Sequence, residues 1–168
     1  MNTDLLQVPI IVRREIETRI AGPLIKAFMK EFGRERTLAV VQEVVETIAK
    51  EFGAQLASRF GGNTLDDWAT KAMPIWEKED VCQTEILEKT KNRLSFNVVR
   101  CRFVELVKEL GIQDLGTTLF CNRDFVMYKS FNPKIKFTRT KTIMEGDDHC
   151  DFRCTVEESE QEANSTDK

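Results

Sequence analysis

The sequence predicts an α+β fold: a helical N-terminal layer packed on an antiparallel sheet of about four strands, with helices inserted among them. Two observations carry that reading. Apolar residues recur at helical three- to five-residue steps through the first 60 residues, and strand-like alternation replaces them after about residue 82. Helical spacing then returns between the strand-like stretches, in no regular βα order and with no internal repeat.

Each element follows from local pattern. Ile10, Ile11, Ile16, Ile20, Leu24, Ile25, Phe28 and Met29 mark a first helix, with Gly22-Pro23 predicting a kink or break and Gly33 a C-cap. A second helix spans about Glu35 to Arg59, placing Leu38, Val41, Val44, Val45, Ile48, Phe52 and Leu56 on one face. Gly61-Gly62-Asn63 reads as a loop and Thr64 as the N-cap of a third helix carrying Leu65, Trp68, Ala72 and Trp76, its end obscured by Pro74. Cys82 to Thr90 and Leu94 to Val98 read as a hairpin around Lys91-Asn92-Arg93. Cys101, Val104, Val107 and Leu110 mark a helix ending at Gly111, and a short helix runs from Cys121 to Tyr128, stopped by Asn132-Pro133. Ile135 to Met144 is the third strand, Gly146-Asp147-Asp148 a turn, and Cys150 to Val156 the fourth strand. Residues 1–156 make one domain; residues 157–168, with Ala163 their only apolar residue, read as a disordered tail.

Composition excludes several classes. A chain of 168 residues, 41% hydrophobic and 32% charged, is that of a globular protein, and a net charge of -3 gives no electrostatic case for nucleic acid. No apolar run approaches the roughly 20 residues of a membrane span, and the N-terminus lacks a secretory pattern. Five cysteines, an odd and sparse set, read as reduced thiols of a cytoplasmic protein.

All five cysteines and the single histidine lie between residues 82 and 154. Cys82 and Cys154 read as small buried hydrophobes, the commonest fate of a lone cysteine, and Cys101 on an inward helix face leans the same way. Cys121, followed by Asn122, Arg123 and Asp124 at an expected helix start, is placed to be the most reactive thiol. Cys150 follows a turn beside His149 and Asp151, although neighbouring strand residues point to opposite faces. Two chemistries stay open. Cys101, Cys121 and Cys150 could together hold zinc with an open fourth position, or a cysteine could attack with His149 as base and Asp124 or Asp151 as orienter.

Arg100-Cys101-Arg102-Phe103, Leu110-Gly111, Leu119 to Asp124, Phe131-Asn132-Pro133, Thr138 to Gly146 and His149-Cys150-Asp151-Phe152 follow in order. Together they resemble the L-2-amino-thiazoline-4-carboxylate hydrolase family over roughly residues 95 to 153. The closing Gly-Asp-x-x-Cys-x-Phe is also similar to 4-vinyl reductase domains, small α+β ligand-binding modules. Cys154 departs from the aromatic residue expected there. The resemblance implies hydrolysis of a cyclic amidine or isothiourea at its C–N or C–S centre, opening a 2-amino-thiazoline carboxylate to an N-carbamoyl product. It implies a site in which Cys101, Cys121, Cys150, His149 and Asp124 do the chemistry. Glu145 and Asp124 would bind the amidinium, Arg123 or Arg139 the substrate carboxylate, and Asn122 would assist. The expected partner is a small molecule, with neither nucleic acid nor membrane, and a homo-oligomer stays open. The alternative is a non-catalytic ligand- or metal-sensing module.

Overall fold

The computed structural model describes residues 7–157, so the expected tail, Glu157 apart, lies outside the described residues. The architecture is α+β. Helices α1 (Ile10–Phe32) and α2 (Arg34–Phe60) are followed by a helical segment made of α3 (Leu65–Asp67), a π-helical turn (Trp68–Ala72) and α4 (Met73–Lys78). Strands β1 (Cys82–Lys89) and β2 (Arg93–Cys101) lead into α5 (Arg102–Glu109). A second π-helical turn (Thr117–Cys121) leads into α6 (Arg123–Phe131), and β3 (Ile135–Thr138) and β4 (Cys150–Val156) complete the sheet. The strand order is β1-β2-β4-β3, every pair antiparallel.

Local chemistry explains most boundaries. The Thr64 hydroxyl accepts from the Asp67 N–H at 3.0 Å while the Asp67 carboxylate accepts from the Thr64 N–H at 3.0 Å, a reciprocal capping box. The π turn before Pro74 absorbs the missing proline N–H, so this helical segment runs past the residue that clouded its end. Gly33 ends α1 at φ 86°, a conformation open to glycine, and its N–H bonds the Met29 carbonyl at 3.1 Å. The break expected at Gly22-Pro23 does not occur. α1 continues through Pro23, and Gly22 sits so close to Ile112 that a Cβ would lie 3.1 Å from that side chain.

Three further expectations need correction. The third strand stops at Thr138 rather than Met144, because side chains take the next N–H groups out of the ladder. Asp151 accepts from Thr140 and Lys141, and Asp147 accepts from Thr142 at 2.8 Å. The helix expected to begin at Cys121 is already formed at Thr117, with the Asn122 N–H bonding the Thr117 carbonyl at 3.0 Å. The inward faces of the long helices are also narrower than expected. Val45, Ala49, Phe52 and Leu56 of α2 are buried, whereas Val44 and Ile48 are exposed, as are Ile16, Ile20, Leu24 and Phe28 of α1.

The main core lies between the sheet and the helices. Leu94, Phe96 and Val98 of β2 pair with Cys154, Phe152 and Cys150 of β4, and Trp68, Tyr128 and Phe131 pack over them. Gly53 lets α2 approach α6 to backbone contact: a Cβ there would stand 2.4 Å from the Met127 carbonyl oxygen. A smaller core of Ile25, Leu106, Val107, Ile112, Leu115 and Phe120 ties α1 to α5. Cys154 is fully buried in the main core, and Tyr128 and burial account for its environment there. No helix among the described residues is long and apolar enough to cross a membrane.

Candidate active site

A cavity of about 110 Å³ opens between the sheet and the helices that cover it. Aromatic and aliphatic side chains form most of the wall, Trp68, Trp76, Phe96 and Phe152 among them. The polar exceptions are Cys82, Cys101, Cys121, Cys150, Asp124 and Arg139, joined by Thr84 and Tyr128.

A β-bulge brings Cys101 into this wall. Cys82 pairs with Cys101 and Gln83 with Arg100, but Thr84 pairs with Val98, leaving Val99 as the extra residue. Regular alternation would send Val98 and Cys101 to opposite faces; the inserted Val99 rephases β2 so that both line the cavity. The same register sets Cys82 directly across the ladder from Cys101. Cys101 then becomes the N-cap of α5.

This position separates Cys101 chemically from the other thiols. The Cys82 thiol, hydrogen-bonding towards its sulfur, draws the Cys101 thiol below the ordinary range, helped by the N–H groups of Val104 and Phe103 against the opposing effect of burial. Those N–H groups face the sulfur without closing a full capping hydrogen bond. Cys82 moves the opposite way, since it is the donor of the pair and is itself buried. Burial and the nearby Asp124 carboxylate push Cys121 up to about 12. Burial raises Cys150 as well. The expectation that Cys121 is the reactive thiol therefore does not fit this geometry: it lies inside a helical run rather than at a helix start, beside a carboxylate.

Thr142 joins the two remaining cavity thiols. Its hydroxyl lies 3.6 Å from the Cys121 sulfur and 3.7 Å from the Cys150 sulfur, and the Ile143 N–H donates to Cys150 at 3.3 Å. Asp124 and Arg139 form an ion pair, and Arg139 also donates to the Cys121 carbonyl at 3.1 Å. The guanidinium is held over the rings of Phe125 and Phe152, 5.2 and 5.5 Å from their centroids. Burial lifts the Asp124 carboxyl to about 6, with Arg139 pulling against it. A carboxyl tuned to that value exchanges protons near neutral pH.

Five of the sequence-derived candidates lie outside the cavity wall. Asn122 turns to α2, donating to the Gln42 amide oxygen at 2.8 Å. Arg123 is buried on the opposite side of its helix, facing α1 and α2, where burial and Arg14 bring it down to about 10. Glu145 is exposed in a short turn. His149 bonds Asp148 at 2.8 Å, and its strand neighbour Cys150 takes the inward face. Asp151 holds the Thr140 and Lys141 backbone. Cys101, Cys121, Cys150, Asp124 and Arg139 do line one cavity. The structure adds Cys82 to that wall, which the pattern alone reads as core, and sets Thr142, expected within the third strand, against the Cys121 and Cys150 sulfurs. Counting outward from the hairpin turn would have put Cys82 near Cys101. Among the described residues no three Cys, His, Asp or Glu side chains stand together as a metal-holding group, so the thiols as arranged do not fit a zinc site.

The family model for L-2-amino-thiazoline-4-carboxylic acid hydrolase matches residues 13–154. The chain belongs to this family. Among curated proteins nothing matches. Among solved structures, this chain is similar to the phenol-responsive sensory domain of the transcription activator PoxR, with phenol. The two share 15% identity and a TM-score of 0.53, over 87% of this chain and 78% of that one. It is also similar to trafficking protein particle complex subunit 3 from Naegleria fowleri, covalently bound to palmitic acid. There the identity is 14% and the TM-score 0.51, over 88% of this chain and 96% of that one. At such identities these likenesses speak for the shared fold alone.

Proposed function

We propose that the protein hydrolyses a small cyclic amidine or isothiourea, a 2-amino-thiazoline carboxylate or a close relative, with Cys101 as nucleophile. The observation that carries this reading is the setting of Cys101. It is a thiol at a helix N-cap position, drawn towards thiolate, in a small cavity shared with a carboxyl that titrates near 6. Family membership supports the reaction class.

The chemistry balances with residues of this chain. The Cys101 thiolate adds to the ring carbon between nitrogen and sulfur, and the ring C–S bond breaks. Asp124, protonated below about 6, gives its proton to the departing sulfur. An isothiourea adduct remains on Cys101. Water then adds to the same carbon as the Asp124 carboxylate takes its proton, the bond to Cys101 breaks, and the N-carbamoyl product leaves with its thiol free. Arg139 positions Asp124 and, as the one cation on the cavity wall among the described residues, faces the substrate carboxylate. Cys82 supports the Cys101 thiolate by hydrogen bonding.

The test is turnover of 2-amino-thiazoline-4-carboxylate, read as free-thiol release. Wild-type protein should turn over, and Cys101→Ser should lose at least about a hundredfold in kcat/KM, the scale expected for removal of a nucleophile. Turnover undiminished in Cys101→Ser contradicts the assignment.

A second reading has its own support. The wall is mostly aromatic, and the PoxR sensory domain of similar fold binds phenol. A purified protein that binds phenol-sized ligands in calorimetry and never consumes the thiazoline would favour a ligand-sensing module.

A further inference from the structure

We infer that the protein is an isologous homodimer, joined through the outer faces of α1 and α2 into a four-helix bundle. The stripe Val12, Ile16, Ile20, Leu24, Phe28 and Phe32 runs the whole length of α1 at four-residue steps, each residue between 43% and 63% exposed. On α2 the residues Val40, Val44 and Ile48 repeat the same step at 45–58% exposure. The lower half of the α1 stripe and all three α2 residues line one open groove of about 620 Å³ between the two helices.

The area decides the occupant. Nine large apolar residues about half exposed leave on the order of 800–1,000 Å² uncovered, well beyond the few hundred Å² of a monomer's largest patch. About 800 Å² per partner is what a stable protein–protein interface buries. A small amphiphile in the groove would leave Val12, Ile16 and Ile20 uncovered, since they lie outside it. A second copy lying across both helices covers the groove and extends along the stripe above it. Rows of side chains at four-residue steps form ridges that pack into the grooves of an identical helix, and a two-fold axis lets each copy's α1 fill the other's groove.

The interface would also reach the candidate active site from behind. Phe120 lines both the groove and the catalytic cavity, and Arg123 on the groove floor adjoins Asp124. Pairing would thereby buttress the helical run that carries Cys121 and Asp124.

Light scattering coupled to size exclusion tests this on the full chain, whose protomer is 19.4 kDa. Wild type should elute at twice that mass at tens of micromolar. Ile20→Glu and Val44→Glu, on different helices, should each yield monomer with an unchanged far-UV spectrum. A wild-type monomer at all concentrations overturns the inference, as does a dimer that persists in both folded variants. Should both variants unfold, hydrogen exchange of wild type decides. Protection of 12–48 falling on dilution supports the dimer, and protection lost elsewhere or nowhere overturns it.

Discussion

Asp124 is the residue on which the acid–base account turns. Its carboxyl keeps its proton up to about 6 in the folded protein, against an ordinary 3.8, because burial outweighs the Arg139 guanidinium. A raised carboxyl value favours folding where the group is protonated in both states. The contribution is fully present below 3.8 and is lost as pH rises through about 6. The size is on the order of 3 kcal/mol at about 1.4 per pH unit. Asp124→Asn removes this dependence while leaving Arg139 without its partner. Melting temperatures at pH 4.5 and 7.5 should show the variant gaining on wild type as pH rises; parallel profiles would contradict the raised value. The residue types at Cys101, Cys121, Cys150, Asp124 and Arg139 were legible as chemistry in the sequence. Their ranking was not, because it depends on a bulge at Val99 and on a helical turn that begins at Thr117, before Cys121. Neither has a residue signature. His149 shows the converse: alternation along a regular strand argues against its sharing a pocket with Cys150, and the cavity wall holds Cys150 without His149, which sits in the bend before β4.

At the scale of elements, the site is held by contacts that need close backbone approach. α2 and α6 meet at Gly53, where a Cβ would fall 2.3 Å from the Ser130 hydroxyl and 2.4 Å from the Met127 carbonyl. The carbonyl is backbone and cannot rotate away. Gly53→Ala should therefore lower stability by about 1–3 kcal/mol despite the better helix propensity of alanine, as overpacking does. Denaturant unfolding measures it, and a stabilised variant would mean that α6 shifts freely. Helix existence and the hairpin were readable because long periodic runs and turn residues act locally. The extent of the third strand was not, since it ends where Asp147 and Asp151, distant in the pattern, capture backbone N–H groups. The helix faces were misjudged for another reason. Periodicity marks every apolar stripe alike, and Ile16 or Val44 reads the same whether its partner belongs to this chain or to a second copy.

For the whole molecule, the described fold closes at β4, and the chain beyond it offers no apolar anchor larger than Ala163. Glu157 pairs with Lys136, but both side chains are well exposed, and such pairs contribute little. A chain ending at Val156 should melt within about a degree of full length, the limit set by a surface pair of under ~1 kcal/mol. A drop of several degrees would show that the removed segment packs on the domain. The whole-molecule claim is that sheet, bulge and covering helices together build one small cavity in which Cys101 attacks. Rapid-quench mass spectrometry during turnover of 2-amino-thiazoline-4-carboxylate tests it most directly. The account predicts a transient isothiourea adduct on the peptide carrying Cys101, absent in Cys101→Ser; an adduct mapped to Cys121 or Cys150, or turnover with no adduct at any thiol, would contradict it.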